Sequence, residues 1–186
     1  MSPSLLLRDA RLQAAVLGLS IVVVEYARVS VGRLPGMAVP ALLGGGLALC
    51  LFAVGRTPSE LGLGRDRLPA RLLGGLALAA VLLLPAMARW GGGPRLPLDL
   101  ALAAIAVSVG EEVAFRGALY ASLEVFGPLP AVLGSTAVWT AAHALSHPPA
   151  FLPAVAAAGL LLGAWRWACR DLVGPILGHI LADLAL

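Results

Sequence analysis

The stretch SVGEEVAFRG, residues 108–117, places two adjacent carboxylates and an arginine inside a long apolar segment. At the centre of a membrane helix a Glu or Arg costs roughly 2.5 to 3.5 kcal/mol, whereas a leucine or valine returns only about 0.3 to 0.6 kcal/mol. Glu111, Glu112 and Arg116 therefore consume most of the insertion energy of their own segment. A helix with this sequence must face other helices or water rather than lipid, which predicts a bundle around it.

The composition of the whole chain is that of an integral membrane protein. Of its 186 residues 60% are hydrophobic and 12% are charged, and the mean hydropathy is +0.93, more apolar than a soluble domain of this length can bury. Apolar segments close to the length of a bilayer core lie at residues 10–31, 37–54, 72–88, 98–123, 131–145, 151–168 and 172–186. We therefore predict an all-α bundle of about seven transmembrane spans, with six to eight allowed by the soft boundaries.

Short connections rich in Gly and Pro join these segments, so we predict a single domain over residues 1–186. The first segment carries Glu25 and Arg28 and lacks a small-residue cleavage site, which favours a retained span over a signal peptide. Residues 57–68 are amphipathic and flanked by arginines. We expect this stretch to lie along the membrane surface, with Thr57 or Ser59 as the N-cap of a short helix.

The basic residues are all arginines, and no basic run interleaved with aromatic residues predicts a nucleic-acid partner. With seven spans, one side of the membrane would hold Arg8, Arg11, Arg56, Arg65, Arg67, Arg71 and Arg170. The other side would hold Arg28, Arg33, Arg89 and Arg95. The positive-inside rule makes the first side cytoplasmic.

The spacing of the charges in the fourth segment gives the two glutamates different surroundings. Glu112 and Arg116 are four residues apart on one helix face and can form an ion pair. Glu111 points roughly 100° away. A carboxylate without the arginine, in a partly desolvated cavity, is more basic than in water and could act as a general base. The alternative is a buried ion pair that only locks the bundle.

Two other segments carry polar groups at comparable depth. His143 lies in VWTAAHALSH, and His179 and Asp183, four residues apart, lie in GHILADLAL. An aspartate at that spacing can hold an imidazole in one tautomer or share a proton with it. His143 and His147 are also four apart, as in some metal sites, but His147 precedes two prolines and is expected at the membrane interface.

Three sequence motifs resemble those of the CPBP group of CAAX-type and bacteriocin-processing intramembrane proteases. EEVAFR fits EExxxR, the run from Trp139 to His143 fits FxxxH with Trp in place of Phe, and His179 to Asp183 fits HxxxD. The motifs occur in the family's order on separate apolar segments. The resemblance covers roughly residues 58–186 as a catalytic core and implies a glutamate-dependent intramembrane endopeptidase.

The resemblance also implies roles for single residues. It makes Glu111 the base that activates water and His143 its partner, and it assigns Glu112 and Arg116 to the same site. His179 and Asp183 would stabilise the oxyanion, yet an ionised aspartate cannot donate a hydrogen bond. We therefore expect Asp183 either to be protonated or to orient His179.

A metal-free site is favoured, because the chain lacks the HExxH spacing. Zinc held by Glu111, His143 and His179 is the alternative.

The small size and the composition rich in Ala, Gly, Leu and Arg favour a prokaryotic member in the cytoplasmic membrane. The expected partners are the lipid bilayer and a membrane-anchored protein or peptide as substrate. Two other functions are also compatible with the sequence. The polar residues could form the path of a small transporter, or they could stabilise a non-catalytic binding or immunity protein.

Overall fold

A computed structural model describes residues 3–64, 66–87 and 96–185 of the chain. Within these ranges every regular element is a helix and no strand occurs, which confirms the all-α class. The helices are α1 Pro3–Gly32, α2 Ala38–Cys50, α3 Pro58–Leu61, α4 Leu68–Met87, α5 Leu98–Glu111, α6 Tyr120–Leu123, α7 Pro128–His143, α8 Leu152–Cys169 and α9 Val173–Ala185. A π-helical segment, Glu112–Leu119, joins α5 to α6 without a break. Arg65, Arg89 and Arg95, part of the predicted charge asymmetry, lie outside the described residues.

Each predicted apolar segment coincides with one helix, and the fourth coincides with the continuous run from α5 to α6. In the described part of the chain, Asp9–Gly32 and Pro149–Cys169 are long and apolar enough to cross a membrane on their own. Ala38–Ala53, Leu68–Leu84 and Val173–Ala185 are apolar but shorter. The number of crossings therefore stays a prediction.

The connections between the helices gather at two ends of the bundle. At one end, Arg56 donates a 2.5 Å hydrogen bond to Ser122, and Arg170 pairs with Glu124 at 2.5 Å. The guanidinium of Arg11 lies 6.0 Å from the ring centroid of Phe126 at the same end. We call this the arginine-rich end; it holds the first part of α1 and the connections 54–67, 124–127 and 170–172.

The opposite end holds the connections 33–37 and 144–151. There Arg33 donates a 2.7 Å hydrogen bond to the carbonyl of Leu145. Long helices that are joined by a described connection therefore run in opposite directions. This is the arrangement that repeated membrane crossings require.

Helix α3 begins with a capping box. The Thr57 hydroxyl accepts a 3.3 Å hydrogen bond from the backbone N–H of Glu60, and the Glu60 carboxylate accepts a 2.6 Å bond from the backbone N–H of Thr57. Hydrogen bonds from the Thr57 backbone and hydroxyl keep the pKa of the Glu60 carboxyl below its ordinary value. Thr57 rather than Ser59 is thus the N-cap. The helix ends at Leu61 instead of continuing through the predicted stretch, because Gly62 adopts a left-handed conformation with φ of 77°.

Two glycines bring α2 and α5 into backbone contact directly before the charged stretch. A Cβ atom at Gly110 would overlap the backbone of Gly46, and one at Gly46 would overlap the carbonyl of Ala106. Such close crossings depend on residues without side chains. The crossing fixes the position of Glu111, the next residue of α5. Beyond it, apolar side chains including Ile21, Leu49, Phe115, Leu119 and Trp139 form the core.

Candidate active site

Glu112 is fully buried and lies at the start of the π segment. Its Oε1 atom accepts a 3.0 Å hydrogen bond from Nη1 of Arg116, so the expected ion pair is present. The same oxygen lies 2.9 Å from Nδ1 of His179. Because an ionised carboxylate only accepts, the Nδ1 atom of His179 carries a proton in this arrangement. Glu112 thus links the fourth apolar segment to α9.

Glu111 is held through both of its carboxylate oxygens. Its Oε2 atom accepts a 2.8 Å hydrogen bond from the indole N–H of Trp139. Its Oε1 atom lies 3.4 Å from Nη2 of Arg28, which α1 supplies. Glu111 is separated from Arg116, as the helical spacing predicts, but a more distant part of the chain, Arg28, provides another guanidinium.

Arg28, which the sequence assigns to the first apolar segment and to the charge count of the far side, lies inside the bundle beside its partner Glu25, which is 2% exposed. Gly45 on α2 makes room for it, because a Cβ atom there would lie 2.6 Å from Cγ of Arg28. The absence of that methyl group lets the arginine stem pass α2 and reach Glu111.

His143 is the last residue of α7, and its Nδ1 atom lies 3.0 Å from the carbonyl oxygen of Trp139. A carbonyl oxygen can only accept, so Nδ1 carries the proton and Nε2 of the neutral ring has a free lone pair. Nε2 faces Oε2 of Glu111 at 3.9 Å. Two hydrogen-bond acceptors therefore face each other across a gap that is longer than a direct hydrogen bond.

Asp183 lies on the other side of the site. Its Oδ2 atom is 3.4 Å from Nε2 of His179 and 2.7 Å from the hydroxyl of Ser108. The same hydroxyl lies 2.7 Å from the carbonyl of Ala104. Ser108 thus fixes the aspartate, and the aspartate fixes the ring of His179.

Trp139 is at the centre of the cluster. Its ring centroid lies 4.4 Å from that of His143 and 5.7 Å from that of His179. The guanidinium carbon of Arg116 lies 4.0 Å from the indole centroid. Together these contacts bring all six residues predicted for the site into one group: Glu111, Glu112, Arg116, His143, His179 and Asp183.

Sequence reasoning missed three members of the group: Glu25, Arg28 and Ser108. Glu25 and Arg28 had a signal, since two charges three residues apart in an apolar helix need partners. The sequence did not say which segment supplies those partners. The motif marks Trp139 only as the residue that replaces Phe, and it gives the indole N–H no role.

The donor set named for zinc does not fit this arrangement. His179 directs Nδ1 toward Glu112 and Nε2 toward Asp183, so neither ring nitrogen faces the gap between Glu111 and His143. In residues 3–64, 66–87 and 96–185, no three His, Cys, Asp or Glu side chains come together as a metal site. His147 is exposed beyond α7.

A comparison with protein families identifies the class. The model of the type II CAAX prenyl endopeptidase family, Rce1-like, matches residues 93–185, half of the 186 residues of the chain. The chain therefore belongs to this family, and the resemblance inferred from the motifs is confirmed. Membership supports a membrane-embedded protease of the CAAX type. No curated protein and no solved structure matches the chain.

All six predicted site residues lie within the matched range. Residues 58–92, which we assigned to the catalytic core, precede the match, as do Glu25 and Arg28 of α1. The core boundary at residue 58 stays a prediction. The contact between Arg28 and Glu111 shows that a residue outside the matched range reaches the site.

Proposed function

We propose that the protein is an intramembrane endopeptidase that hydrolyses a peptide bond near the membrane in an anchored protein or peptide. The observation that carries this proposal is the 3.9 Å separation of Glu111 Oε2 and His143 Nε2, both of which are acceptors. A water molecule at about 2.8 Å from each atom can donate one hydrogen to each. The pair then takes a proton as the water oxygen attacks the scissile carbonyl carbon.

The later steps need donors for the carbonyl oxygen and a proton for the leaving amine. The proton accepted by Glu111 and His143 returns to the amine nitrogen as the C–N bond breaks. His179 is the proposed donor to the oxyanion, and because its Nδ1 atom donates to Glu112, the donor must be the N–H at Nε2 of the doubly protonated ring. That N–H is only 3.4 Å from Asp183 Oδ2 without substrate, a long contact that the substrate oxygen would share while Asp183 orients the ring.

We propose that this chemistry proceeds without a metal ion. The fixed tautomer of His143 already directs an unprotonated nitrogen at the gap beside Glu111. A general-base pair of this kind activates water by removing its proton. The engagement of both nitrogens of His179 supports the metal-free version further.

We also propose seven membrane crossings, in the prokaryotic cytoplasmic membrane. The opposite directions of the helices that the described connections join, and the seven long helical runs, support this count. Three arginines at the arginine-rich end contact the region around the α6–α7 connection, namely Arg11, Arg56 and Arg170. The positive-inside rule makes this end cytoplasmic.

The test uses the purified protein in liposomes with a panel of single-pass peptides tagged at both ends. Wild type is compared with Glu111→Gln, which keeps the size of the side chain but removes its basicity. Glu124→Gln is the matched control, because Glu124 pairs with Arg170 at the surface and is far from the site. We expect product from wild type and Glu124→Gln only. Equal cleavage by Glu111→Gln would reject the mechanism, and no cleavage of any peptide would favour a non-catalytic protein or a transporter.

Asp183→Asn separates the two roles of Asp183. An asparagine keeps an oxygen that can face His179 and adds a donor, so we expect cleavage to continue at a reduced rate. Asp183→Leu should abolish it, because the ring of His179 then loses its support. Complete loss of cleavage in Asp183→Asn, with unchanged folding by circular dichroism, would contradict hydrogen-bond donation at this position.

A further inference from the structure

A cavity of about 540 Å³ lies at the arginine-rich end of the bundle, between the connection 54–67, the start of α4 and the end of α8. This volume is typical of sites that bind small molecules. None of the six site residues described above lines it. The charged side chains in its wall belong to Glu60, Asp66, Arg71, Glu124, Arg166 and Arg170. A ligand in this cavity would therefore be separate from the proposed cleavage chemistry.

Arg166 is the most deeply buried of these charged residues, with 2% of its surface exposed. Its Nε and Nη2 atoms donate to the carbonyl oxygens of Arg116 and Glu60 at 3.2 and 2.8 Å. No described residue accepts a hydrogen bond from its Nη1 atom, and this nitrogen is not shielded from solvent. Because Arg166 lines the cavity, Nη1 is the nitrogen that faces it. A guanidinium with unused N–H groups in a cleft suits a phosphate oxygen.

Arg71 is the second cation in the inner part of the wall, and 11% of its side chain is exposed. Its Nη1 atom donates to the carbonyl oxygens of Gly62 and Gly64 at 3.1 and 2.7 Å. The same nitrogen lies 3.5 Å from the carboxylate of Asp171. These contacts hold the guanidinium against the connection, at the first turn of α4. The inner wall thus presents two guanidinium groups whose positions are fixed.

The acidic residues lie further out. Asp66 pairs with Nη2 of Arg71 at 3.2 Å, but 75% of its side chain is exposed, and Glu60 is exposed as well. Glu124 and Arg170 pair with each other at 2.5 Å and neutralise their part of the rim. The outer carboxylates repel a simple anion, whereas a molecule with an inner phosphate and an outer cation is attracted by both parts of the wall. The cavity therefore fits a zwitterion.

The surroundings of the cavity are those of a lipid headgroup. Trp167, near the end of α8, is 51% exposed, and exposed tryptophans are typical of the membrane interface. Close to Arg71, leucines that are 43% to 52% exposed share one face of α4: Leu68, Leu72 and Leu76. This row extends for about 12 Å along the helix. It offers an apolar surface to the acyl chains of a lipid whose headgroup lies in the cavity.

We infer that this cavity binds the headgroup of phosphatidylethanolamine. Arg166 and Arg71 hold the phosphate, the carboxylate of Asp66 accepts from the primary ammonium, and the acyl chains lie along α4. Basic pockets at the ends of membrane helices are known to bind lipid headgroups. Phosphatidylglycerol lacks the cation, and phosphatidylcholine carries a cation without N–H donors. The inference does not depend on the proposed function.

The test measures which lipids the purified full chain retains in detergent, by native mass spectrometry. Equal amounts of phosphatidylethanolamine, phosphatidylcholine, phosphatidylglycerol and diacylglycerol with identical acyl chains are offered together. We expect phosphatidylethanolamine to exceed phosphatidylcholine and phosphatidylglycerol by about two- to fivefold, the effect of a partly exposed charge pair. Diacylglycerol, which has no phosphate, should be retained least. Equal retention of the four lipids, or a preference for phosphatidylglycerol, would overturn the inference.

Free phosphoethanolamine distinguishes a lipid site from a site for a soluble phosphate ester. It has the same headgroup without acyl chains, so at a concentration equal to that of the lipid it should displace little phosphatidylethanolamine. Displacement of most of the bound lipid would show that the natural ligand is soluble and would refute the lipid assignment.

Asp66→Asn tests the contact with the ammonium at an exposed position where folding is not at risk. The variant should still retain phospholipids, because both arginines remain, but its preference for phosphatidylethanolamine should disappear. Asp99→Asn is the matched control, since Asp99 is exposed in the first turn of α5 and lies outside the cavity wall. An unchanged preference in Asp66→Asn, or an equal loss in both variants, would contradict the assignment. Peptide cleavage plays no part in these measurements, so their outcome is independent of the proposed function.

Discussion

Trp139 occupies the position at which the FxxxH motif has phenylalanine, and its indole N–H makes a contact that a phenyl ring cannot make. The 2.8 Å hydrogen bond to Glu111 Oε2 fixes the oxygen that faces His143. The same residue supplies the carbonyl that sets the tautomer of His143. One side chain and its own backbone therefore orient both members of the proposed catalytic pair.

Trp139→Phe tests the first of these contacts. Phenylalanine keeps an aromatic ring in the core but removes the donor, and a hydrogen bond to a charged group contributes about 1.5 to 3 kcal/mol. We expect kcat to fall roughly 10- to 100-fold with little change in KM, since the contact positions the base. Cleavage kinetics measure this, with Trp167→Phe at a 51% exposed position as the control. An unchanged kcat would show that the indole N–H does not position Glu111.

Arg28 acts on the other oxygen of Glu111, and it comes from a helix that precedes the family match. Arg28→Met should lower kcat by about 10²-fold, the effect expected when a reacting group shifts by roughly 1 Å. Because the single change leaves Glu25 buried without a partner, the double variant Glu25→Gln with Arg28→Met separates folding from positioning. Arg28→Lys should recover part of the rate.

The control for these variants is Arg33→Met, because Arg33 is exposed and lies just after the end of α1. It should keep the wild-type rate. If the double variant melts like the wild type and also cleaves like it, then Arg28 serves only to neutralise Glu25 and has no part in holding the base.

At the scale of elements, adjacent glycines of α2 make room for two different neighbours. Gly46 lies against the backbone of α5, and Gly45 lies against the aliphatic part of the Arg28 side chain, whereas a Cβ atom at Gly44 would meet nothing within 4 Å. Glycines in membrane helices are a general packing feature. Their number in the sequence predicted close contacts, but which glycine meets which helix depends on the rotation of α2 about its axis.

Gly46→Ala should destabilise the bundle, because the new methyl group overlaps the carbonyl of Ala106 in the middle of α5. Overpacking of this kind costs about 1 to 3 kcal/mol, and rigid backbone places the effect at the upper end of that range. Thermal unfolding in detergent measures it. Gly44→Ala is the matched control and should be neutral or slightly stabilising, since alanine is the better helix former. Equal melting temperatures for the two variants would show that the α2–α5 crossing has room for a methyl group at both positions.

At the scale of the whole molecule, Arg166 joins three separate parts of the chain. It extends from α8 to the carbonyl of Glu60 in α3 and to the carbonyl of Arg116 in the π segment, and its guanidinium carbon lies 4.9 Å from the ring centroid of Tyr120. This contact set holds the surface connection against the helices that carry the site.

Arg166→Met should therefore loosen the connection 54–67. Each carbonyl that loses its buried partner costs about 1 to 3 kcal/mol. We expect a lower melting temperature and faster proteolysis within residues 54–67, and Arg166→Lys should not restore either, because one ammonium cannot replace the planar fork. Arg170→Met, at an exposed neighbour, is the control. Unchanged proteolysis in Arg166→Met would show that other contacts hold the connection.

The sequence was sufficient for the class of fold and for six residues that the fold brings together, because a charged residue in an apolar helix is costly and must find a partner inside the bundle. It was insufficient for Arg28, whose contact with Glu111 joins positions 83 residues apart. Helical spacing predicts neighbours within one helix, such as Glu112 and Arg116. Contacts between helices depend on how each helix is rotated, and the close approaches at Gly45 and Gly46 are examples that spacing within one helix does not reveal.

The π segment Glu112–Leu119 has one further consequence, which concerns insertions and deletions. Such a segment is an α-helix that has taken up additional residues, with hydrogen bonds to the fifth residue back. Because the wider turn absorbs an extra residue, converting the segment to the α form without a deletion would rotate everything beyond it by roughly 100°. Tyr120 would then leave the face of Arg166, while Glu111 and Glu112 would stay in place; deleting one residue at the same time would largely cancel the rotation. The register of this helix, set by the number of residues in the π segment, thus matters for the site as much as the side chains that the helix carries.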